Sequence, residues 1–376
     1  MSASLAAKLG AFDPDLPLER ARTIPSSWYG DPEIYEAERR AVFGATWQVA
    51  GRIDQLARPG AFVTTNIAGE PILIVRDGEG TLRAFSNVCR HRAAQVINEP
   101  EGQVTRLRCR YHGWTYDLAG RLRGTPEFDG VADFHREEQG LVKLEVATWG
   151  PLVWARPYRD GPGLASQLAP LPQRSQSLDL EALQFVERRT YALACNWKVF
   201  VDNYLDGGYH VNTVHPGLAG VLDYSQYRTE IFNSTSVQTS PLRPADPASG
   251  PAANVRTGDA AHYWWIFPNF MMNIYRGVMD TNLVRPLGPD RCEVIFDFYF
   301  SEIEGPDAKH FMAESMAVAH QIQIEDIGIC EEVQKGLASR SFDTGRFSVK
   351  REAAGYHFHR LLARTLQLRS SAEVSR

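Results

Sequence analysis

SNVCRHRAAQVINEPEGQVTRLRCRYHGWTYDLAG, residues 86–120, holds two short loops that each carry one thiol and one imidazole. Cys89-Arg90-His91 is followed after 17 residues by Cys109-Arg110-Tyr111-His112. A tetrahedral zinc ion accepts two Cys and two His, but zinc sites ordinarily pair Cys with Cys and His with His at short spacing. Here C-x-H and C-x₂-H mix the types within each loop. That mixture suits a two-iron cluster in which one iron takes both thiolates, the other takes both imidazoles, and each loop spans both metals. Cys89, His91, Cys109 and His112 are therefore the candidate [2Fe–2S] ligands. Gly113 lets the backbone pass close to the metals, and Trp114 is placed to shield one side from water. Arg90, Arg92 and Arg110 either balance cluster charge or are ordinary surface charge. Imidazole ligation raises the cluster potential, so the cluster can accept an electron and needs an acceptor to pass it to.

Around the quartet, residues 60–157 read as short β-prone runs punctuated by glycine: AFVTTNIAG, EPILIVRDGEG, TLRAFSNV, HGWTYDLAG and PLVWARP. DGEG and DLAGRL read as hairpin turns. Residues 1–45 form an N-terminal helical segment, with an amphipathic helix over 31–48, and residues 46–158 a mostly-β domain. The Pro-, Gly- and Ser-rich stretch 159–180 reads as a linker, and residues 181–376 as a second, mixed domain. Within that domain NWKVFVDNYLDGGYHVNTVH looks helical, and residues 239–260 look like a surface loop. HYWWIFPNFMMNIY and CEVIFDFYFSEIE should pair in a sheet, and a long helix runs from about Ala308 to Leu337. The chain thus reads as α+β.

Composition narrows the class. With 44% hydrophobic and 23% charged residues, the chain is an ordinary globular protein and not a disordered one. A net charge of −5, with the basic residues dispersed, gives no nucleic-acid footprint. No apolar run reaches membrane-spanning length, and the N-terminus lacks a secretory apolar stretch. Five widely spaced cysteines fit a reducing compartment, so a cytoplasmic protein is expected.

A second metal site is suggested by DNYLDGGYHVNTVH, residues 202–215. His210 and His215 lie about 140° apart on an ideal helix, so they converge only if the helix ends or bends between them. Pro216 and Gly217 favour such an end. Two imidazoles and one remote carboxylate make the facial triad of non-haem Fe(II) oxygenases. In AHQIQIEDIGICEEVQKGL, Asp326 shares an apolar stripe with Ala319, Ile322, Ile329, Cys330, Val333 and Leu337, whereas Glu325 falls on a wetter face. A carboxylate on an apolar stripe needs a metal or a strong partner to stay ionised, which favours Asp326 as third ligand. His357 and His359 of HFH are alternatives, but their alternation reads as an edge strand or a C-terminal packing segment.

Together these residues resemble Rieske non-haem iron ring-hydroxylating oxygenase large subunits from about residue 30 to 365. CNWKVFVDNYLDGGYHV, MDTNLVRPLGP and EDIGICEEVQKGLASRSFDTGR are most similar to choline monooxygenase and its quaternary-ammonium relatives. The resemblance implies a Rieske domain joined to a helix-grip-like catalytic domain with an antiparallel sheet and a mononuclear iron. It assigns the cluster to Cys89, His91, Cys109 and His112 and the iron to His210, His215 and Asp326. It also implies a head-to-tail homotrimer in which one subunit's cluster feeds its neighbour's iron, because the two sites within a subunit are too far apart. An acid bridges the two; Asp206 is the candidate, with Asp202 the weaker one, although many members place that acid three residues before the histidine, where this chain has Gly207. Asn203 is a candidate for positioning the iron site.

Neither a GxGxxG fingerprint nor a GxxxxGK loop follows a strand-like run. Electrons are therefore expected from a separate NAD(P)H-dependent reductase, directly or through a ferredoxin. A quaternary ammonium donates no hydrogen bond and is held by aromatic faces. Tyr263, Trp265 and Phe267 alternate onto one strand face and are the candidate cage, with core packing as the bland alternative. Hydroxylation beside the cationic nitrogen would give N-demethylation, and attack on an alcohol carbon an aldehyde hydrate. Ring hydroxylation of an aromatic acid or hydrocarbon would use the same metals in a differently lined pocket. A non-enzymatic electron-transfer or zinc-binding protein is the alternative from another class.

Overall fold

The computed structural model describes residues 3–158, 161–244 and 250–372, with side chains through Leu368. It divides into two compact units, residues 43–164 and residues 1–42 together with 165–376. The linker expected at 159–180 begins outside the described residues at 159 and 160. Its remainder folds into the short helices Leu164–Leu168 and Leu171–Arg174 and two tighter turns.

The smaller unit is an antiparallel seven-stranded sheet in the order Gln48–Arg52, Leu152–Arg156, Lys143–Trp149, Leu82–Ser86, Glu70–Arg76, Ala61–Ile67, Glu101–Gln103. A second sheet of three short strands spans Leu107–Arg108, Thr115–Tyr116 and Leu122–Gly124. Turn chemistry explains the connections. Ala68 and Gly69, both at positive φ, make the two-residue hairpin loop between Ile67 and Glu70. DGEG and DLAG close differently from that loop but like each other, with three residues between Asp77 and Thr81 and between Asp117 and Arg121. Asp77 Oδ1 accepts from the amides of Glu79 and Thr81, and Asp117 Oδ1 from those of Ala119 and Arg121. The glycine three residues after each Asp takes φ near +80° (83° at Gly80, 79° at Gly120). At Gly120 a Cβ would lie 2.4 Å from the Phe85 ring, so glycine is required there by packing as well.

The larger unit carries an antiparallel seven-stranded sheet, ordered Gln184–Leu193, Arg291–Phe300, Val278–Gly288, Phe270–Tyr275, Ala260–Ile266, Thr235–Pro241, Arg228–Ile231. HYWWIFPNFMMNIY is itself a hairpin, because the turn at Phe267-Pro268-Asn269 folds Ile266 back onto Phe270. The run after Cys292 therefore pairs with Val278–Gly288 and lies one strand away from that hairpin. Helices Trp197–Tyr204, Pro306–Leu337 and Ala353–Ala372 complete the unit. HFH belongs to the last of these, not to a strand. Of the loop expected at 239–260, residues 245–249 lie outside the described residues; the flanks form the end of a strand and the helix Pro251–Val255.

The chain opens with helix Ala3–Gly10, and the helix expected over 31–48 is shorter than that span. Asp31 caps it by accepting from the amides of Glu33 and Ile34, and the α-helix runs over Pro32–Glu38 before widening through Arg39–Phe43. Its last residue ties the segment to helix Trp197–Tyr204. Glu38 receives the Lys198 ammonium at 2.7 Å and the Trp197 indole N–H at 2.8 Å, and Glu38 and Lys198 are both fully buried. No helix among the described residues is long and apolar enough to cross a membrane.

Candidate metal centres

In the smaller unit the two Cys/His loops repeat one backbone design. The amide of Cys89 donates to Ala94 O and that of Ala93 to Cys89 O; the amide of Cys109 donates to Trp114 O and that of Gly113 to Cys109 O. Ala93 and Gly113, each four residues after its cysteine, both adopt positive φ, 61° and 73°. Each loop thus turns tightly around its thiol. Cys89 and Cys109 are buried in one cluster with Leu107, Trp114 and Tyr116. The His91 and His112 rings meet edge to face with centroids 4.7 Å apart. His91 stacks on Trp114 at 4.8 Å, so Trp114 takes the shielding place read from the sequence.

The four side chains border one small recess. Its donors are two thiols and two imidazoles, and His91 Nδ1 is buried without a hydrogen-bond partner. A buried ring nitrogen in that state fits a metal ligand. Burial raises the Cys109 thiol above its usual range, so apolar surroundings alone do not favour the thiolate; an iron pair would. The Tyr116 hydroxyl lies 3.4 Å from Cys89 Sγ and accepts from the Arg90 amide, an outer contact to one sulfur. Arg110 pairs with Glu99.

In the larger unit the sheet and two helices assemble the second site. Asn196 caps helix Trp197–Tyr204, whose C-terminal half presents Asn203. The chain then turns through Gly207 and Gly208, both at φ 71°. A Cβ at Gly207 would sit 2.1 Å from the Arg351 carbonyl oxygen, and one at Gly208 2.9 Å from the Tyr227 ring. The two glycines make room for an acid placed four residues before His210 to reach it. Asp206 Oδ2 accepts from the His210 amide at 3.0 Å and lies 2.5 Å from His210 Nδ1. Helix Val211–Val214 follows and stops at His215, ahead of Pro216.

His210 Nε2 and His215 Nε2 come within 3.0 Å. Asp326 Oδ1, from the middle of the long helix, is 3.2 Å from His215 Nε2 and 3.8 Å from His210 Nε2. Two imidazole nitrogens bound at right angles about 2.1 Å from a first-row metal would stand about 3 Å apart, which matches. The far side of each ring agrees. His215 Nδ1 is 2.7 Å from Glu325 Oε2, as His210 Nδ1 is against Asp206. Each carboxylate holds the Nδ1 proton and leaves the Nε2 lone pair for a metal. Asn203 Nδ2 donates to Asp326 Oδ1 at 2.7 Å. The arrangement fits a facial triad with open positions.

Glu325 is the residue that helix periodicity misses: the wetter face still reaches the second imidazole ring of a neighbouring loop. The adjacent Glu325-Asp326 pair is the only sequence signal for it. Asp202, the weaker bridging candidate, is committed elsewhere, to the Tyr29 hydroxyl at 2.5 Å and His359 Nε2 at 2.8 Å. His357 and His359 stand away from the triad; burial lowers His357 to about 4.

The triad opens onto a cavity whose walls include Phe200, Tyr204, Tyr227, Tyr263, Tyr275 and Phe296. Tyr263 is there as expected from the strand. Trp265 and Phe267 are not: they pack on each other, and Trp265 is buried against His357 and Phe358 of the C-terminal helix. Tyr263 and Trp265 share a strand face and Phe267 lies in the turn beyond it, and of the three only Tyr263 meets the cavity. The C-terminal helix covers Trp265.

Comparison with known proteins agrees with both centres. Residues 46–135 match the Rieske [2Fe-2S] domain, and residues 180–368 match the ring hydroxylating alpha subunit catalytic domain. This chain belongs to the Rieske ring-hydroxylating oxygenase family. The cofactors of this oxygenase are accordingly a Rieske [2Fe–2S] cluster and a mononuclear iron. It is 40% identical to the chloroplastic choline monooxygenase of Arabidopsis thaliana over 95% of this chain and 86% of that protein. It is 28% identical to the carnitine monooxygenase oxygenase subunit of Escherichia coli K12 over 93% and 95% of the respective chains. The oxygenase also superimposes on the quaternary ammonium Rieske monooxygenase CntA in complex with L-carnitine, with a TM-score of 0.80, 27% identity, and coverage of 94% of this chain and 97% of that one.

Proposed function

We propose that this oxygenase is the terminal component of a multicomponent system that uses O₂ to hydroxylate a small quaternary-ammonium compound. Cys89, His91, Cys109 and His112 hold the cluster, and His210, His215 and Asp326 hold Fe(II). The observation that carries the reading is the convergence of His210 Nε2, His215 Nε2 and Asp326 Oδ1 at the edge of a cavity walled by tyrosines. The cluster supplies single electrons and the Fe(II) supplies O₂ activation.

The chain's own residues supply position and polarity. Tyr227, Tyr263 and Tyr275 present aromatic surface to a cation that cannot donate a hydrogen bond. Buried Phe200 and Phe296 keep water from the same space. Asp206 fixes the His210 ring through Nδ1 and is the proposed bridge through which electrons enter; Asn203 holds the Asp326 carboxylate at the angle the triad needs.

The electron donor is an NAD(P)H-dependent reductase, with or without a ferredoxin, and the working form is a head-to-tail homotrimer. Support for electron transfer between subunits comes from CntA, whose structure is described as giving insight into inter-subunit electron transfer. A cytoplasmic site of action is supported by five cysteines that are all free and buried.

The test is a substrate panel with purified oxygenase and a reconstituted reductase, following O₂ uptake together with product mass. Coupled formation of a hydroxylated or N-demethylated product from a quaternary amine is expected. Coupled product from aromatic acids or hydrocarbons alone would overturn the reading.

A further inference from the structure

Arg256 stands in the wall of the catalytic cavity, just after helix Pro251–Val255, and is 5% exposed. Its contacts are few for a group with five N–H donors. Nη1 is 3.5 Å from Ser315 Oγ and 4.0 Å from Asp280 Oδ2, and the guanidinium lies 4.5 Å from the centre of the Tyr275 ring. Nε is buried with no hydrogen-bond partner. Asp280, itself 2% exposed, is already engaged at Oδ1 by Asn273 Nδ2 at 2.6 Å. The two charges face each other across the cavity wall without closing into a bidentate pair.

Two more cavity-lining donors share this condition: Asn282 Nδ2 and Gln323 Nε2 are buried and unpartnered. All three unpartnered atoms are N–H donors, so the complementary group is an acceptor. Buried guanidinium and amide donors are costly to leave unpaired, and a carboxylate matches the guanidinium fork best. The aromatic side of the cavity asks for the opposite pole. Tyr227 and Tyr263 stack with centroids 6.4 Å apart, and the Tyr263 and Tyr275 hydroxyls satisfy each other at 2.7 Å, which leaves ring faces for a cation.

We propose that the cavity takes a zwitterion, a quaternary ammonium and a carboxylate on one small molecule, with the carboxylate received by Arg256, Asn282 and Gln323 and the cation by Asp280 and the tyrosine faces. Such a ligand lies antiparallel to the Arg256–Asp280 pair and adds no net charge to a buried site. Choline, a simple cation with one hydroxyl, leaves Arg256 without an anion and brings an unbalanced charge. The inference rests on the quaternary-ammonium reading above and narrows it.

Isothermal titration of the isolated oxidised holoenzyme tests it with glycine betaine, γ-butyrobetaine, choline, and the tert-butyl carboxylate isostere of glycine betaine. At least one betaine should bind about tenfold or more tighter than both choline, which lacks the carboxylate, and the isostere, which lacks the cation. In Arg256→Gln that preference over choline should collapse to within about threefold, and Arg256→Lys, which keeps the charge but not the fork, should fall between. Choline binding as tightly as the tighter of the two betaines overturns the inference and leaves the quaternary-ammonium reading intact. Binding and turnover of aromatic carboxylates with no quaternary compound bound overturns both. Cluster absorbance and circular dichroism report whether the variants fold; if they do not, the wild-type ratios alone decide.

Discussion

Glu325 Oε2 lies 2.7 Å from His215 Nδ1, on the side of the ring opposite the nitrogen that faces Asp326. Two consecutive helix residues thus grip one imidazole at both ends, the first through its proton and the second through the shared metal position. Glu325→Gln should keep the ring in place but weaken its basicity, and Glu325→Ala should release it. Loss of such a partner costs about 10- to 100-fold in metal affinity. Chelator competition read by iron content checks this, with the visible spectrum of the cluster unchanged. Equal iron retention in Glu325→Ala and wild type would show that His215 is held by packing alone.

Asp206 accepts from two backbone amides besides meeting His210 Nδ1. Asp206→Asn should preserve much of the turn and both metals while slowing electron delivery, by about tenfold or more if the acid is the bridge. Single-turnover and steady-state rates measure it. Unchanged rates in the iron-replete variant would remove Asp206 from the path.

Gly207 combines φ 71° with a carbonyl oxygen 2.1 Å from where a Cβ would stand. Gly207→Ala meets both obstacles, a conformational cost of about 1–2 kcal/mol and a backbone clash that only movement of the loop or of Arg351 relieves. Lower iron occupancy and a lower melting temperature of the catalytic unit are expected. Gly217→Ala is the control, since nothing lies within 4 Å of its Cβ position.

Lys198 and Glu38 form a fully buried pair. Removing one charge strands the other, so Lys198→Met should destabilise by about 3–5 kcal/mol, while Lys198→Met with Glu38→Gln should recover part of the loss. Denaturant unfolding of the two variants measures the difference. Recovery will be incomplete, because Glu38 also accepts the Trp197 indole.

His357 is held neutral chiefly by burial, with its pKa lowered to about 4. The unfolded chain takes up its proton near pH 6.5, before the folded chain does. Its contribution to stability is therefore present above about pH 6.5 and declines as pH falls toward about 4. His357→Gln should flatten that part of the stability–pH curve; an identical slope would contradict the buried neutral state.

The cluster loops were legible because their candidate ligands are local. Cys89 with His91 and Cys109 with His112 sit within single turns, and the Asp77 and Asp117 loops beside them follow from residues four apart or fewer. His210, His215 and Asp326 were legible for a related reason: a helix stop at Pro216 and the position of Asp326 on a periodic helix are both sequence properties. What the sequence by itself determined, then, is the chemistry of the two donor sets and the class of the two units. The tertiary structure alone decided how those sets are completed. Glu325 meets His215 and Arg256 meets Asp280 across separations of 110 and 24 residues, and periodicity within one element says nothing about which side chain of another element it will face. Trp265 and Phe267 make the same point in reverse. Trp265 shares a strand face with Tyr263, and Phe267 lies in the turn just beyond, but the C-terminal helix packs over that end and leaves the Tyr263 end to the cavity.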